Sequence, residues 1–156
     1  MRFPTPLFLA LLVAGCTWEK PPSETLMFGS HALPVEVAAT MGERRRGLMG
    51  RSKLPDNQGM LFIFPSSGKK CFWMKDTEIP LTTAFIDSEG YILNMADMKA
   101  ESRDIHCSEG IASYAIEVNV GLLQKWGVQP GDQVTGLPAL PAPQPASASK
   151  PWWKFW

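Results

Sequence analysis

Leu81-Thr-Thr-Ala-Phe-Ile-Asp87-Ser-Glu-Gly90-Tyr-Ile-Leu-Asn-Met95 sets two runs of apolar, β-branched and aromatic residues around a four-residue turn signal. Asp87 opens the turn, and Gly90 stands where a left-handed backbone is wanted, so the stretch predicts a β-hairpin. Strands joined this tightly run antiparallel, since a parallel pair needs a crossover of a dozen residues or more.

Upstream, Met60-Leu-Phe-Ile-Phe64 is apolar without alternation and ends at Pro65, which predicts a central strand covered on both faces. Cys71 to Met74 makes a second short run, and Met27 to Ala39 makes two extended runs broken at Gly29-Ser30. Within the latter, Leu33, Val35 and Val37 alternate with Pro34, Glu36 and Ala38 as a half-buried strand would. Thr40-Met-Gly-Glu43 fits a capping box and predicts a short helix ending at Gly50, with Leu48 and Met49 closing its apolar face. Downstream, Ser113 to Val118 reads as a strand, Asn119 as an N-cap, and Val120 to Trp126 as a helix stopped by Gly127. Gln129-Pro-Gly-Asp132 has the Pro and Gly of a type II turn, leading to a last strand through Leu137. About seven strands and two short helices, without long helical crossovers, predict an α+β, mainly β domain. Its small antiparallel sheet curls into a barrel.

The ends are foreign to this middle. Residues 1–15 carry Arg2 and an apolar run from Leu7 to Ala14, shorter than the roughly 20 residues of a membrane span and suited to a signal peptide. Val13-Ala-Gly-Cys16 resembles the lipobox of bacterial lipoproteins. That resemblance implies a Cys16 triacylated at the mature N-terminus, and Thr17 in place of Asp implies delivery to the outer membrane, facing the periplasm. Residues 16–25 then read as a stalk, 26–137 as the globular domain and 138–156 as a Pro/Ala-rich tail. The tail ends in Pro151-Trp-Trp-Lys-Phe-Trp156, which has the amphipathic character of a membrane-interface contact or, equally, of a disordered segment.

The 156 residues, 45% apolar and 19% charged, leave room for one core and exclude a two-domain cofactor enzyme. The formal net charge of zero excludes a protein that wraps nucleic acid. Charge is nevertheless segregated: Glu43 to Lys75 holds eight basic and two acidic residues, and Asp76 to Glu109 two basic and eight acidic. Mutual pairing of the halves is the expectation. The alternative is an open patch of Arg44, Arg45, Arg46, Arg51 and Lys53 facing anionic headgroups or polymers. With Cys16 acylated, the even remainder, Cys71 and Cys107, points to a disulfide in an oxidising compartment. A metal site with His106 lacks ligands and spacing, Met95 and Met98 point apart on a strand, and no cofactor motif is present.

Gly47-Leu-Met49, Leu54-Pro55, Gly59-Met-Leu-Phe62, Phe72-Trp-Met-Lys75, Thr77, Ile79-Pro-Leu81, Phe85-Ile-Asp87, Gly90, Glu117-Val-Asn119, Gly121 and Gly131-Asp132 resemble, in order and spacing, the family called domain of unknown function 192. The resemblance spans about Met27 to Leu137. It implies a small β-rich domain, frequently exported or lipid-anchored, with no established reaction. The family usually has Asn where Asp76 stands and Asp where Thr82 stands, so any carboxylate role at the second position is lost here.

The candidate ligand-binding residues are Trp73, Lys75, Asp76, Thr77, Asp87, Glu117 and Asn119. Trp73 is either core or a ring lining a cleft, and Lys75, Asp76 and Thr77 sit at a strand end, where loops present side chains. Asp87 is expected to bond turn amides, Asn119 to cap a helix, and Glu117 to need a cation such as Arg51 or Lys75 if buried. The preferred reading is a non-enzymatic module that binds an envelope peptide, glycan or protein. The alternatives are a hydrolase or lyase using Asp76 and Glu117 as acid and base, and an adaptor working through its aromatic C-terminus.

Overall fold

The computed structural model describes residues 23–140. The proposed signal peptide, Cys16 and the aromatic C-terminus lie outside the described residues. In chain order the elements are β1 (Ser23–Phe28), β2 (His31–Ala38), α1 (Met41–Arg46), β3 (Gly59–Gly68), β4 (Cys71–Phe72), β5 (Leu81–Ile86), β6 (Ile92–Met98), β7 (His106–Cys107), β8 (Ala112–Asn119), α2 (Leu122–Lys125) and β9 (Val134–Thr135). β1 begins at Ser23, three residues inside the segment read as stalk, because Ser23, Glu24 and Thr25 pair with Glu36, Val35 and Pro34.

Seven strands form one curled sheet in the order β6-β5-β8-β3-β2-β1-β9, and β4 pairs with β7 as a separate ribbon. The curl brings the two edges together at one end. There Tyr91 bridges Gln133, Ile92 donates to the Asp132 carbonyl and Gly131 donates to the Ile92 carbonyl. This closure leaves less unpaired edge to template aggregation. Gly90, at φ +92°, permits it, since a Cβ there would stand 2.6 Å from the Val134 carbonyl oxygen.

One feature departs from the antiparallel expectation: β2 and β3 pair in parallel, with Glu36 opposite Met60 and Val37 opposite Leu61. Residues 39–58, holding α1 and a long irregular stretch, supply the crossover that such a pair requires.

Alternation along each strand makes two cores. Leu61 and Ile63 of β3, Tyr114, Ile116 and Val118 of β8, and Ala84 and Ile86 of β5 fill the barrel interior with Leu26, Leu33 and Leu123. Met60, Phe62, Ala115, Leu81 and Phe85 face outward and are covered by Leu48, Leu54, Met74 and Ile79. Both faces of β3 are therefore buried, as the unbroken apolar run requires. The strand continues past Pro65 to Gly68 because the missing N–H falls in a register irregularity between Ile63 and Gly68.

The capping box is present: the Glu43 amide donates to the Thr40 hydroxyl and the Thr40 amide to the Glu43 carboxylate. α1 ends at Gly47 rather than Gly50. Gly47 turns at φ +47° and returns its N–H to the Glu43 carbonyl, which frees Leu48 to enter the outer core. Thr40→Ala should lower stability by about 1 kcal/mol, measured by chemical denaturation.

Asn119 does not cap α2. Its amide donates to the carbonyls of Leu54 and Pro55, and the left-handed Gly121 starts a helix running only from Leu122 to Lys125. Gly127, at φ +72°, follows the helix as expected. The Gln129-Asp132 turn closes by a 3.1 Å bond from the Asp132 amide to the Gln129 carbonyl. Past the last strand, the Tyr114 hydroxyl donates to the Pro138 carbonyl, and Leu137 and Leu140 pack on the inner core. Residues 138–140, expected as tail, are thus held by the domain.

Candidate functional site

The sheet presents a row of side chains on its outer face. Glu36 lies opposite Met60, Met60 opposite Glu117, Glu117 opposite Thr83 and Thr83 opposite Ala96. Next along the strands come Ala38, Phe62, Ala115, Phe85 and Asn94. Period 2 therefore aims the Glu117 carboxyl out of an apolar sheet and into the layer that covers it.

That layer leaves a cavity of about 470 Å³. α1 and the turn after it form one wall through Arg44, Arg45, Arg46, Leu48 and Met49, and the chain from β4 onward forms the other through Phe72, Trp73, Met74, Lys75 and Thr77. Phe62 and Glu117 reach it from the sheet. Phe72 is wedged edge-on against Phe62, with centroids 4.8 Å apart, and stacks on Phe85 at 5.7 Å. These contacts fix the wall by aromatic packing.

Glu117 is only 5% exposed. Neither expected cation reaches it: Arg51 makes a bidentate pair with Glu36 at 2.6 and 2.7 Å, and the Lys75 ammonium lies 3.9 Å from Asp76. Burial alone pushes the Glu117 carboxyl up to about 8, because nothing offsets the loss of water around its charged form. It is therefore a neutral acid at pH 7, with one donor and one acceptor directed at the cavity. Its cross-strand neighbour Thr83 is fully buried, and its hydroxyl has no hydrogen-bond partner among the described residues. The orphaned Thr83 hydroxyl thus stands opposite a buried carboxyl without a cation, and buried polar groups without partners are rare in native interiors.

The other candidates divide. Trp73 is not core: β4 ends at Phe72, and Trp73 stands 49% exposed at the cavity, with the Lys75 ammonium 5.8 Å from its ring centroid. Thr77 lines the same space, but its hydroxyl donates to the Lys75 carbonyl, so it also closes the turn. Asp76 occupies that turn at φ +53° with an exposed side chain and does not line the cavity. The paired carboxylates of the hydrolase or lyase reading therefore do not share this cavity. Asp87 accepts from the Glu89 and Tyr91 amides within its hairpin turn, and Asn119 is used to hold the Leu54-Pro55 loop.

Cys71 and Cys107 form a disulfide joining β4 to β7, which removes both from metal or nucleophile roles. Met95 and Met98 pack against opposite cores, as their spacing on a strand requires. The segregated charges do not pair as expected. Among the described residues, Arg51–Glu36 is an ion pair between distant elements, whereas Lys75–Asp76 joins neighbours. Arg45 and Arg46 stay exposed and unpaired beside the cavity, while Arg44 donates to the carbonyls of Ala39 and Ile63. The open patch of Arg44, Arg45, Arg46, Arg51 and Lys53 is not formed as one unit: Arg51 is held by Glu36, and Lys53 does not line the cavity. Thr83 was missed altogether; a hydroxyl opposite a glutamate in two apolar strands was the available signal.

The family model DUF192, described as Uncharacterized ACR, matches residues 24–136. A crystal structure described as a putative transcription regulator from Sinorhizobium meliloti 1021 is 34% identical, with a TM-score of 0.70. The match covers 74% of this chain and 95% of that one. A protein of unknown function from Novosphingobium aromaticivorans DSM 12444 is 31% identical with a TM-score of 0.67, over 72% of this chain and 82% of its own. No curated protein matches.

Proposed function

Because the chain belongs to the DUF192 family, uncharacterised by its own description, its function has to be argued from its site, and we propose a non-enzymatic binding module of the bacterial envelope. In this reading Cys16 carries the lipid, the membrane is outer and periplasm-facing, and the body presents its cavity to an envelope ligand. The observation that carries the binding reading is the cavity itself: an apolar, aromatic wall and a basic wall converge over the unpartnered Glu117. Concave, largely apolar spaces of this size with a few convergent polar groups are the usual form of small-ligand sites. The envelope reading is supported by the lipobox-like Val13-Ala-Gly-Cys16 and by the paired Cys71 and Cys107, which suit an oxidising compartment.

A regulator of transcription, the description attached to the Sinorhizobium structure, fits this chain less well. Its helices among the described residues span six and four residues, too short to lie along a major groove, and the three consecutive arginines of α1 line a cavity.

The test is native mass spectrometry of the full chain extracted from cell membranes in mild detergent. The expected species begins at Cys16, carries a triacyl increment that Cys16→Ser abolishes, and retains a non-covalent adduct. A bare, unlipidated chain with no adduct, or turnover of an envelope polymer by the purified protein, contradicts the reading.

A further inference from the structure

The cavity's lining restricts what it can hold. Its ionisable groups are Arg44, Arg45, Arg46, Lys75 and Glu117, so four cations face one carboxyl that is neutral at pH 7. Arg44 is tied to backbone carbonyls, and Lys75 is shared between Trp73 and Asp76, which leaves the two exposed arginines free to meet an incoming charge. The net field is positive, which favours an anion over a neutral or cationic ligand. The half-exposed Trp73 beside Phe72 offers a ring platform at the mouth. Glu117 selects the group that reaches deepest. A neutral carboxyl presents one donor and one acceptor, which a ligand hydroxyl complements by being both. An acyl chain or a plain aromatic ring at that depth would leave Glu117 buried and unmatched, an unfavourable arrangement.

We propose that the cavity takes an acidic sugar residue of an envelope glycan, with its ring against Trp73 and Phe72, its carboxylate at Arg45 and Arg46, and a hydroxyl on Glu117. This rests on the binding reading above and extends it by naming the ligand class. The chemistry also couples capture to protons. The other charged groups of the cavity are the arginines of α1 and Lys75, none of which pairs with Glu117 among the described residues; Glu36 lies beyond Met60 in the same row and is held by Arg51, while β5 and β6 bring only Thr83 and Ala96. Ionised Glu117 would lose its donor and repel the ligand's carboxylate.

The experiment titrates the full chain in detergent by calorimetry and amide NMR, with a hyaluronan tetrasaccharide, its uronate methyl ester, neutral chitotetraose and inorganic phosphate. Saturable binding of the acid is expected, at least tenfold weaker for the methyl ester and for chitotetraose, and absent for phosphate alone. Glu117→Leu and the double change Arg45→Ala with Arg46→Ala should each weaken it at least tenfold. Amide shift dispersion reports whether each variant keeps its fold. Affinity should fall at least tenfold between pH 7 and pH 9.5, and Glu117→Gln should flatten that profile. Equal affinity for acid and ester, phosphate binding as tight as the sugar, or binding indifferent to the cavity variants overturns the proposal. If no sugar binds while membrane-extracted protein carries a peptide adduct, the sugar assignment falls and the binding reading stands. If neither sugar nor adduct is found, both fall.

Discussion

Glu117→Gln should stabilise the protein at pH 7 by about 3 kcal/mol and remove most of the dependence of its stability on pH between 5 and 8. The sign follows from burial. The folded carboxyl is raised to about 8 from an ordinary value of 4.5, so between those values the folded chain keeps a proton that the unfolded chain has released. Stability is fullest below pH 4.5, falls by about 1.4 kcal/mol per pH unit as the unfolded chain ionises, and levels off once the folded carboxyl also ionises. Glutamine keeps the shape and hydrogen-bonding capacity without the proton equilibrium, which isolates this effect. Glu36 acts in the opposite sense: Arg51 holds its carboxyl below the usual range, so its contribution is lost as acid is added. Urea denaturation of wild type and variant at pH 5, 7 and 8.5 separates the two, and a wild-type curve flat from pH 5 to 8 would show that Glu117 titrates normally. A group that destabilises its own fold at neutral pH is the kind of residue retained for function.

Removing the disulfide should have a comparable effect. Cys71 and Cys107 are 36 residues apart, and closing a loop of that length contributes about 3 to 4 kcal/mol in the chain-entropy model. Replacing both by Ser should lower Tm by about 10 to 20 °C for a body of this size. The damage should be greatest at the cavity. β4 and β7 pair over only two residues each, and Phe72 on β4 holds the wall that Trp73 extends. Amide exchange near Phe72 to Lys75 should therefore quicken more than exchange in β3 or β8. Equal loss of protection everywhere would mean the bridge constrains the unfolded chain alone.

The features legible in the sequence were those written in a few adjacent residues. The hairpin around Asp87-Gly90, the capping box at Thr40-Glu43 and the Gln129-Asp132 turn each depend on local backbone bonds, and each is present. The burial of Met60 to Phe64 on both faces followed from its lack of alternation. What escaped was decided at long range. Asn119 looks like a cap until the Leu54-Pro55 loop, 64 and 65 residues away, is brought to its side chain. The parallel β2–β3 pair was hidden because its crossover holds only one short helix. Trp73 read as part of an apolar run, yet the chain turns after Phe72 and leaves it at the surface.

The candidate site shows the same division. The sequence says that Glu117 needs a partner if it is buried, and it groups Trp73, Lys75, Asp76 and Thr77 at one strand end without saying that Glu117 converges on them. Residue counting could not reveal that Arg51 is taken by Glu36, that Asp76 turns outward, or that α1 sets its arginines on the same cavity as Glu117. Opposite charges in one chain suggest pairing, but among the described residues the two halves are joined by an ion pair only at the neighbours Lys75 and Asp76.

The cavity is floored by a neutral acid without a cation partner, and arginines of α1 line the same space. Carboxyl ¹³C NMR of the full chain, followed from pH 4 to pH 10, reads the titration of Glu117 directly, with Glu117→Gln assigning the resonance. The expected midpoint is about 8, well above those of the exposed carboxylates. A midpoint near 4.5 would mean that Glu117 is hydrated or paired in solution, and the cavity described here would not be the site.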